Sequence, residues 1–399
     1  MTRNLRYRGV LPALMAAALS AMAATAPAAA VSSTPWTIQP TPNPSGAFES
    51  GLQGVSCTAA DACTAVGLTD DGRGSLFETL AETWNGTTWS IQPPPDPKGA
   101  QSATLSAVSC SSADACTAVG SPYVDASGTS HALAETWNGT IWRVHATPSP
   151  PGAVSSVLSG VSCTAASACT AVGSYKDSSG ALHPLAETWD GTAWNLQSAP
   201  DDGTVGSYLT GVSCTAADVC IAVGSFFPRK QNPGSLRAMA EIWNGTAWSV
   251  MFMPSPGHNN QPLAIACPAA DNCITVGDDI SSLTQVALGE AWNGTKWTIL
   301  SMPSPSASYM TALNGVSCSA AGACTAVGNW FHYNTGRIRT LAEVWNGTAW
   351  SIQASANPTS SVDSGFGGVS CLAASGCTAV GSYSDTNRGP DLTLAEHRG

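Results

Sequence analysis

The stretch Leu158–Tyr175, LSGVSCTAASACTAVGSY, followed by LAETWDGTAWNLQ at Leu185–Gln197, decides the fold. Its cysteines, Cys163 and Cys169, enclose five residues, and the same spacing recurs at Cys57/Cys63, Cys110/Cys116, Cys214/Cys220, Cys267/Cys273, Cys318/Cys324 and Cys371/Cys377. The first cysteines of successive pairs lie 53, 53, 51, 53, 51 and 53 residues apart. One text is therefore written seven times, and self-similarity at a fixed period of this length is the signature of a repeat architecture.

Each copy contains four short runs rich in Val, Thr, Leu, Ile and Trp, separated by turn residues, which predicts four strands. They are A (LSGVSC), B (CTAVGS), C (LAETW) and D (TAWSIQ). Asn-Gly between C and D, as at Asn138-Gly139, predicts a two-residue hairpin turn. A four-stranded antiparallel unit repeated seven times predicts an all-β, seven-bladed β-propeller, and nothing shows the 3.6-residue period of a helical solenoid. Small residues in A and B and large ones in C and D fit a wedge whose chain runs from axis to rim. The last copy stops at LAEHRG without a D strand, while Trp36-Thr37-Ile38-Gln39-Pro40 carries the missing D text. The N-terminal strand is expected to complete the last blade and close the ring without a free edge. Six Trp-x4-Trp pairs, Trp36 and an extra Trp330 account for all 14 Trp.

These SC-x5-C-xAVG and LAETWNGTxW texts resemble those of secreted bacterial seven-bladed propellers, and more distantly Asp-box and kelch-like propellers. The resemblance spans residues 36 to 396. It implies a fold more strongly than an activity, because such propellers include sialidase-like hydrolases, lectins and protein-binding scaffolds.

Composition narrows the function. Only 10% of the 399 residues are charged, the formal net charge is -11 and Lys plus Arg total 15, so no nucleic-acid partner is expected. Apolar residues make up 43%, enough for a core, and 39 Gly with 26 Pro supply many turns. Residues 1–30 carry Arg3, Arg6 and Arg8, an apolar run and a small-residue end at Ala30, the anatomy of a secretory signal peptide. A membrane anchor is the alternative, but the run is shorter than the roughly 20 residues that span a bilayer. Residues 31–399 are then the propeller, secreted, extracellular and monomeric. Export permits disulfides.

Residues present in every copy are expected to hold blades together. The cysteine pairs predict seven local disulfides pinning the A–B hairpins; zinc is the alternative, but no copy places His or Cys at tetrahedral spacing. The glutamates Glu82, Glu135, Glu187, Glu241, Glu290, Glu343 and Glu396 recur in strand C, expected half-buried and accepting hydrogen bonds. Asn-Gly-Thr matches a glycosylation acceptor five times, which the turn already explains.

Recognition is expected where copies differ. The A–B and C–D turns are nearly identical throughout, whereas the B–C and D–A connections vary in length, charge and aromatic content. Five copies place an aromatic just beyond the AVG glycine: Tyr123, Tyr175, Phe226, Trp330 and Tyr383. Such rings either stack on sugars or close the blade ends over the core. Phe226-Phe227-Pro228-Arg229-Lys230, Asp278-Asp279 and Trp330-Phe331-His332-Tyr333 with Arg337 and Arg339 make blades 4 to 6 the first candidate site. A carbohydrate or cell-surface polymer is the expected ligand. A glycoside-cleaving enzyme on the same face, then a protein-interaction scaffold, are the alternatives. For hydrolysis the candidate acids are Asp71, Asp279 and Asp385 and the candidate cations Arg73, Arg237, Arg337 and Arg388. The six His (His131, His145, His183, His258, His332, His397) are dispersed, so no metal, cofactor or Ser-His chemistry is expected.

Overall fold

A computed structural model describes residues 34–70, 72, 77–97, 100, 102–124, 130–201, 206–228, 235–280, 284–374, 376–386 and 389–399. The expected signal segment 1–30 lies outside these residues, as do Asp71, Arg73, Arg229, Lys230 and Arg388. Every regular element among the described residues is a strand. In the third repeat, A (Ala153–Ala165), B (Ala168–Asp177), C (Leu182–Trp189) and D (Trp194–Gln197) pair antiparallel in chain order. The same order recurs in each repeat, and single parallel bridges, Ser155 with Ser130 and Gln285 with Met310, join repeats 2 to 3 and 5 to 6. In the last repeat, A (Asp363–Cys371), B (Cys377–Ser384) and C (Asp391–Arg398) are followed by Thr37–Gln39, with Ile38 opposite Glu396.

Small residues sit where backbones meet. A Cβ on Gly173, the glycine of AVG, would overlap the Val157 carbonyl of strand A, and Gly67, Gly120, Gly224, Gly277, Gly328 and Gly381 are similarly confined. Each A strand also skips one residue in its pairing with B, a β-bulge. The skipped residues, Gln53, Ser106, Ser159, Thr210, Leu263, Asn314 and Gly367, together line a cavity of about 170 Å³. Large side chains lie farther out, where Leu158, Val161, Leu185, Trp189 and Trp194 form one buried cluster.

Seven disulfides join the expected partners: Cys57–Cys63, Cys110–Cys116, Cys163–Cys169, Cys214–Cys220, Cys267–Cys273, Cys318–Cys324 and Cys371–Cys377. No free cysteine is found among the described residues. The bridges do more than pin the A–B hairpins, because the second cysteine of each pair points into the core. Cys220 is fully buried and packs in one cluster with Val212, Met239 and Trp248; Cys324 is buried in another with Val316, Leu341 and Trp350. These two sulfurs are therefore core atoms as well as staples, a role the hairpin spacing alone does not report.

The serine before each first cysteine stitches neighbours together: Ser56, Ser109, Ser162, Ser213 and Ser317 accept the amides of Cys110, Cys163, Cys214, Cys267 and Cys371. Ser370 accepts the Cys57 amide at 2.9 Å, joining the last repeat to the first. Repeat 5 carries Ala266 at this position, so the stitch to Cys318 is missing. Ala266→Ser should supply it and raise stability by about 1 kcal/mol, read as a higher denaturation midpoint.

Three further expectations change in detail. The C–D connection is a four-residue loop, with Trp84 directly opposite Trp89 and the Asn85 side-chain oxygen accepting from the Thr87 and Thr88 amides. Asp190 makes the same two bonds in repeat 3, so Asn and Asp interchange because an oxygen acceptor is what the loop needs. The strand-C glutamates are fully buried, 0% exposed. Neither carboxyl oxygen of Glu135, Glu187, Glu290 or Glu343 has a hydrogen-bond partner; Glu396 accepts only the Ala356 amide. Finally, the Trp–Trp stack of the other repeats, with centroids about 5.7 Å apart, becomes Arg398 over Trp36 at 5.6 Å in the last.

Candidate functional site

The B–C and D–A connections lie at the strand ends opposite the disulfides, and the five aromatics beyond AVG stand there. All five are half-buried and pack on the hydrophobic clusters of their own repeats: Tyr123, Tyr175, Phe226, Trp330 and Tyr383. Of the two roles open for them, closing the repeat ends over the core is the one their packing fits. Each faces one cross-strand partner, four residues before the strand-C glutamate. Tyr123 meets His131, Tyr175 meets His183, Phe226 meets Arg237, Trp330 meets Arg339 and Tyr383 meets Leu392.

His183 is the most elaborated of these partners. It stacks on Tyr175 with centroids 4.9 Å apart, and its ring nitrogens meet Asp201 at 2.8 Å and Asp177 at 3.3 Å. Burial alone would lower its pKa; the two carboxylates outweigh it and hold the imidazole above its ordinary value. Asp177 also caps its own turn through Ser179 and Ala181, which holds its carboxyl well below the usual range. The group is an ion-paired loop clasp.

The candidate residues of repeats 4 and 5 are engaged internally. Asp278 is 5% exposed and accepts from the Gln285 amide, burial raising its pKa despite that bond. Asp279 packs against Gly257, and Arg237 donates to the Gly257 carbonyl at 3.3 Å. Phe226 leans on Phe252 at 5.4 Å, which is the ring exposed there. Of the cluster expected over repeats 4 to 6, Phe226, Asp278 and Asp279 thus make internal contacts, and Arg229 and Lys230 lie outside the described residues.

Repeat 6 differs. Its B strand runs on to His332, and the following Tyr333 is 71% exposed. The Tyr333 amide donates to Ala307, bringing it beside Tyr309 (45% exposed) and Met310 (42% exposed) at the start of strand A. Ala307 is the only non-glycine among the described residues with positive φ, 61°, so this bend is held in a costly conformation. Trp330 and His332 approach at 5.2 Å, and exposed Arg337 pairs opposite His332.

Acids stand next to this patch. Asp363, at the start of the last A strand, accepts the Ile338 amide at 2.7 Å, and Arg339 donates to Ser361 and Val362. Asp363 lies opposite Ser384, which lies opposite Asp391, while Glu49 lies opposite Asp70 in repeat 1. Burial raises the pKa of Glu49, reinforced by Asp391 and then Asp70. Burial also raises Asp391, partly offset by Ser382 and reinforced by Asp363. Four carboxylates from the first and last repeats thus act on one another; exposed Asp385 stands near their strand ends. Glu49, Asp70, Asp363 and Asp391 were not singled out from the sequence, because only the packing of the first repeat on the last brings them together. Tyr309 was missed because it lies in a stretch that the sequence reads as a D–A connection, apart in sequence from Tyr333. Among the described residues no group of His, Cys, Asp or Glu is arranged to hold a metal ion.

Two solved structures superpose on this fold. YCF48 bound to D1 peptide superposes with a TM-score of 0.52 at 11% identity, covering 94% of this chain and 97% of that one. The GH74 xyloglucanase from Xanthomonas campestris superposes with a TM-score of 0.50 at 12% identity, covering 90% of this chain. Both are β-propeller proteins. The fold is propeller-like. This chain spans 55% of the xyloglucanase, and at these identities the likeness concerns architecture alone. No protein-family model and no curated sequence matches the chain. Among the described residues no helix is long and apolar enough to cross a membrane.

Proposed function

We propose that residues 1–30 direct export and that the rest of the chain is a seven-bladed β-propeller, completed by Thr37–Gln39, that binds an extracellular carbohydrate polymer. Ring closure is supported by the pairing of Thr37–Gln39 with the last C strand, the Ser370–Cys57 bond and the contact of Gly368 with Gly54. Export is supported by the seven disulfides, which persist in oxidising compartments. The recognition surface is the variable face over repeats 6, 7 and 1. The observation that carries it is the exposure of Tyr309, Met310 and Tyr333 beside Arg337. Two accessible rings suit stacking on sugar faces, and the neighbouring polar groups suit their hydroxyls.

Glycoside hydrolysis is the second reading. Glu49 and Asp391 are raised by burial and by the carboxylates around them, and a carboxyl with a raised pKa beside further carboxylates is the grouping that general-acid hydrolysis uses. A glycan array run beside an assay for released sugars tests both. Tyr309→Ala with Tyr333→Ala should weaken polymer binding about tenfold or more. Binding without released product rejects hydrolysis; product release that stops in Asp391→Asn while binding persists establishes it. Retention of full affinity in the double tyrosine variant would move the site elsewhere.

A further inference from the structure

The disulfide face is nearly invariant from repeat to repeat, which argues against one individual site but not against one site repeated. Two cavities open there at equivalent places. One, of about 240 Å³, lies between repeats 1 and 2; the other, of about 220 Å³, lies between repeats 3 and 4. Their linings correspond residue by residue: Ser56 with Ser162, Thr58 with Thr164, Thr64 with Thr170, and Trp84 with Trp189. Cys63 and Cys169 of the disulfides form the floors, and Ala113 and Ala217 from the next repeat stand exposed at the margins.

The chemistry of the walls is that of a polyol site. Ser56 and Ser162 each accept an amide proton from the neighbouring repeat and keep their own hydroxyl proton to donate. The Thr58 and Thr164 hydroxyls are held only by long bonds of 3.5 and 3.4 Å to carbonyls. An acceptor charge is kept in both cavities although its position changes. Repeat 1 has Asp61 and Asn85; repeat 3 has Ser167 and Asp190. Volumes of about 240 and 220 Å³ are small beside the pockets that hold drug-sized molecules, which limits each cavity to a small ligand.

We propose that these inter-repeat cavities each bind one terminal sugar ring, making the disulfide face a multivalent saccharide surface. The Ser and Thr hydroxyls take the ring hydroxyls, joined in the first cavity by the Asp61 carboxylate, while Asp190 in the second is held by its own loop; the tryptophan edge bounds the ring's apolar side. Affinity per cavity is low, with Kd of about 1 mM, and identical spaced sites add through effective concentration on a surface bearing many sugar ends. This surface is separate from the aromatic patch over repeats 6, 7 and 1, and stands or falls without it.

The test is titration of the folded, oxidised protein with glucose, galactose, mannose and N-acetylglucosamine, followed by NMR. Two or more equivalents of at least one sugar should bind. Ala113→Trp and Ala217→Trp place bulk at the margins of the two cavities, and each should remove one equivalent, the pair removing two. Ala113→Arg and Ala217→Arg serve where a tryptophan variant does not fold. The Tyr309→Ala, Tyr333→Ala protein should keep the two equivalents that the plugs remove. Absence of saturable binding by all four sugars overturns the proposal. So does stoichiometry that ignores the plugs, or plugs that no longer remove an equivalent in the tyrosine variant.

Discussion

The stability of this protein should fall as pH rises from about 5 to 8, the reverse of most acid-labile domains. Six strand-C glutamates, Glu82, Glu135, Glu187, Glu290, Glu343 and Glu396, have pKa values pushed up to about 8 by burial. Hydrogen bonds offset part of the desolvation only at Glu82, from Thr393, and at Glu396, from the Ala356 amide, so burial dominates and the neutral acid is the form that folds. Unfolded, each titrates near 4.5. Between that value and about 8 the native state holds protons that the unfolded chain has released, so each rise in pH favours unfolding. Below about 4.5 both states are protonated and these groups exert no pull. Each retained proton is worth about 1.4 kcal/mol per pH unit, so even one changes the denaturation midpoint visibly.

Glu135→Gln isolates one site. The amide copies the shape of the neutral acid but cannot ionise. Its stability should match the parent near pH 4 and exceed it by about 4 kcal/mol near pH 8, with exposed Glu78→Gln run alongside as the surface comparison. Urea unfolding across this pH range measures both. A parent protein equally stable at pH 5 and 8 would mean that the carboxyls find compensating partners.

The glutamates also show where sequence reading ends. Their recurrence seven times correctly marked them as structural, yet full burial depends on the adjacent repeat, which no local pattern reports. Strands, disulfides and the displaced D strand at Thr37–Gln39 were legible because each is a short motif repeated at a fixed interval. The aromatics were not. Tyr175 and Tyr333 look alike as aromatics following AVG, but Tyr175 is two residues beyond its glycine and stays within the B strand. Tyr333 is five beyond and clears the strand end. Glu49 and Asp391 come from opposite ends of the chain, and their mutual influence exists only once those ends pack. Identical turns on the disulfide face looked uninformative because a cavity between two repeats belongs to neither.

Reduction should unfold the protein. Each bridge joins residues six apart in sequence, and closing so small a loop lowers the unfolded chain's entropy by roughly 2 kcal/mol on the chain-entropy model. Seven act independently because each loop lies inside one A–B hairpin, so together they contribute on the order of 15 kcal/mol, as much as the whole stability of a typical domain. The second cysteine of each pair is buried, and in five of the seven repeats its sulfur is approached by a threonine hydroxyl of the preceding repeat, as Thr64 approaches Cys116 at 3.5 Å and Thr170 approaches Cys220 at 3.6 Å. Cys273 and Cys324, in repeats 5 and 6, have Ile221 and Ile274 in the threonine's place. The first cysteines are only half-buried, and the second are fully enclosed in the core. Dithiothreitol should therefore abolish the β-sheet circular dichroism at a temperature where the oxidised protein is fully folded. Replacing one pair, Cys163→Ala with Cys169→Ala, should cost about 2 kcal/mol and leave a folded protein. The Cys267, Cys273 double variant should be the more damaging, since Ala266 already leaves that seam without its serine stitch. A fully reduced chain that melts within a few degrees of the oxidised one would show that strand packing, and not the bridges, sustains the fold.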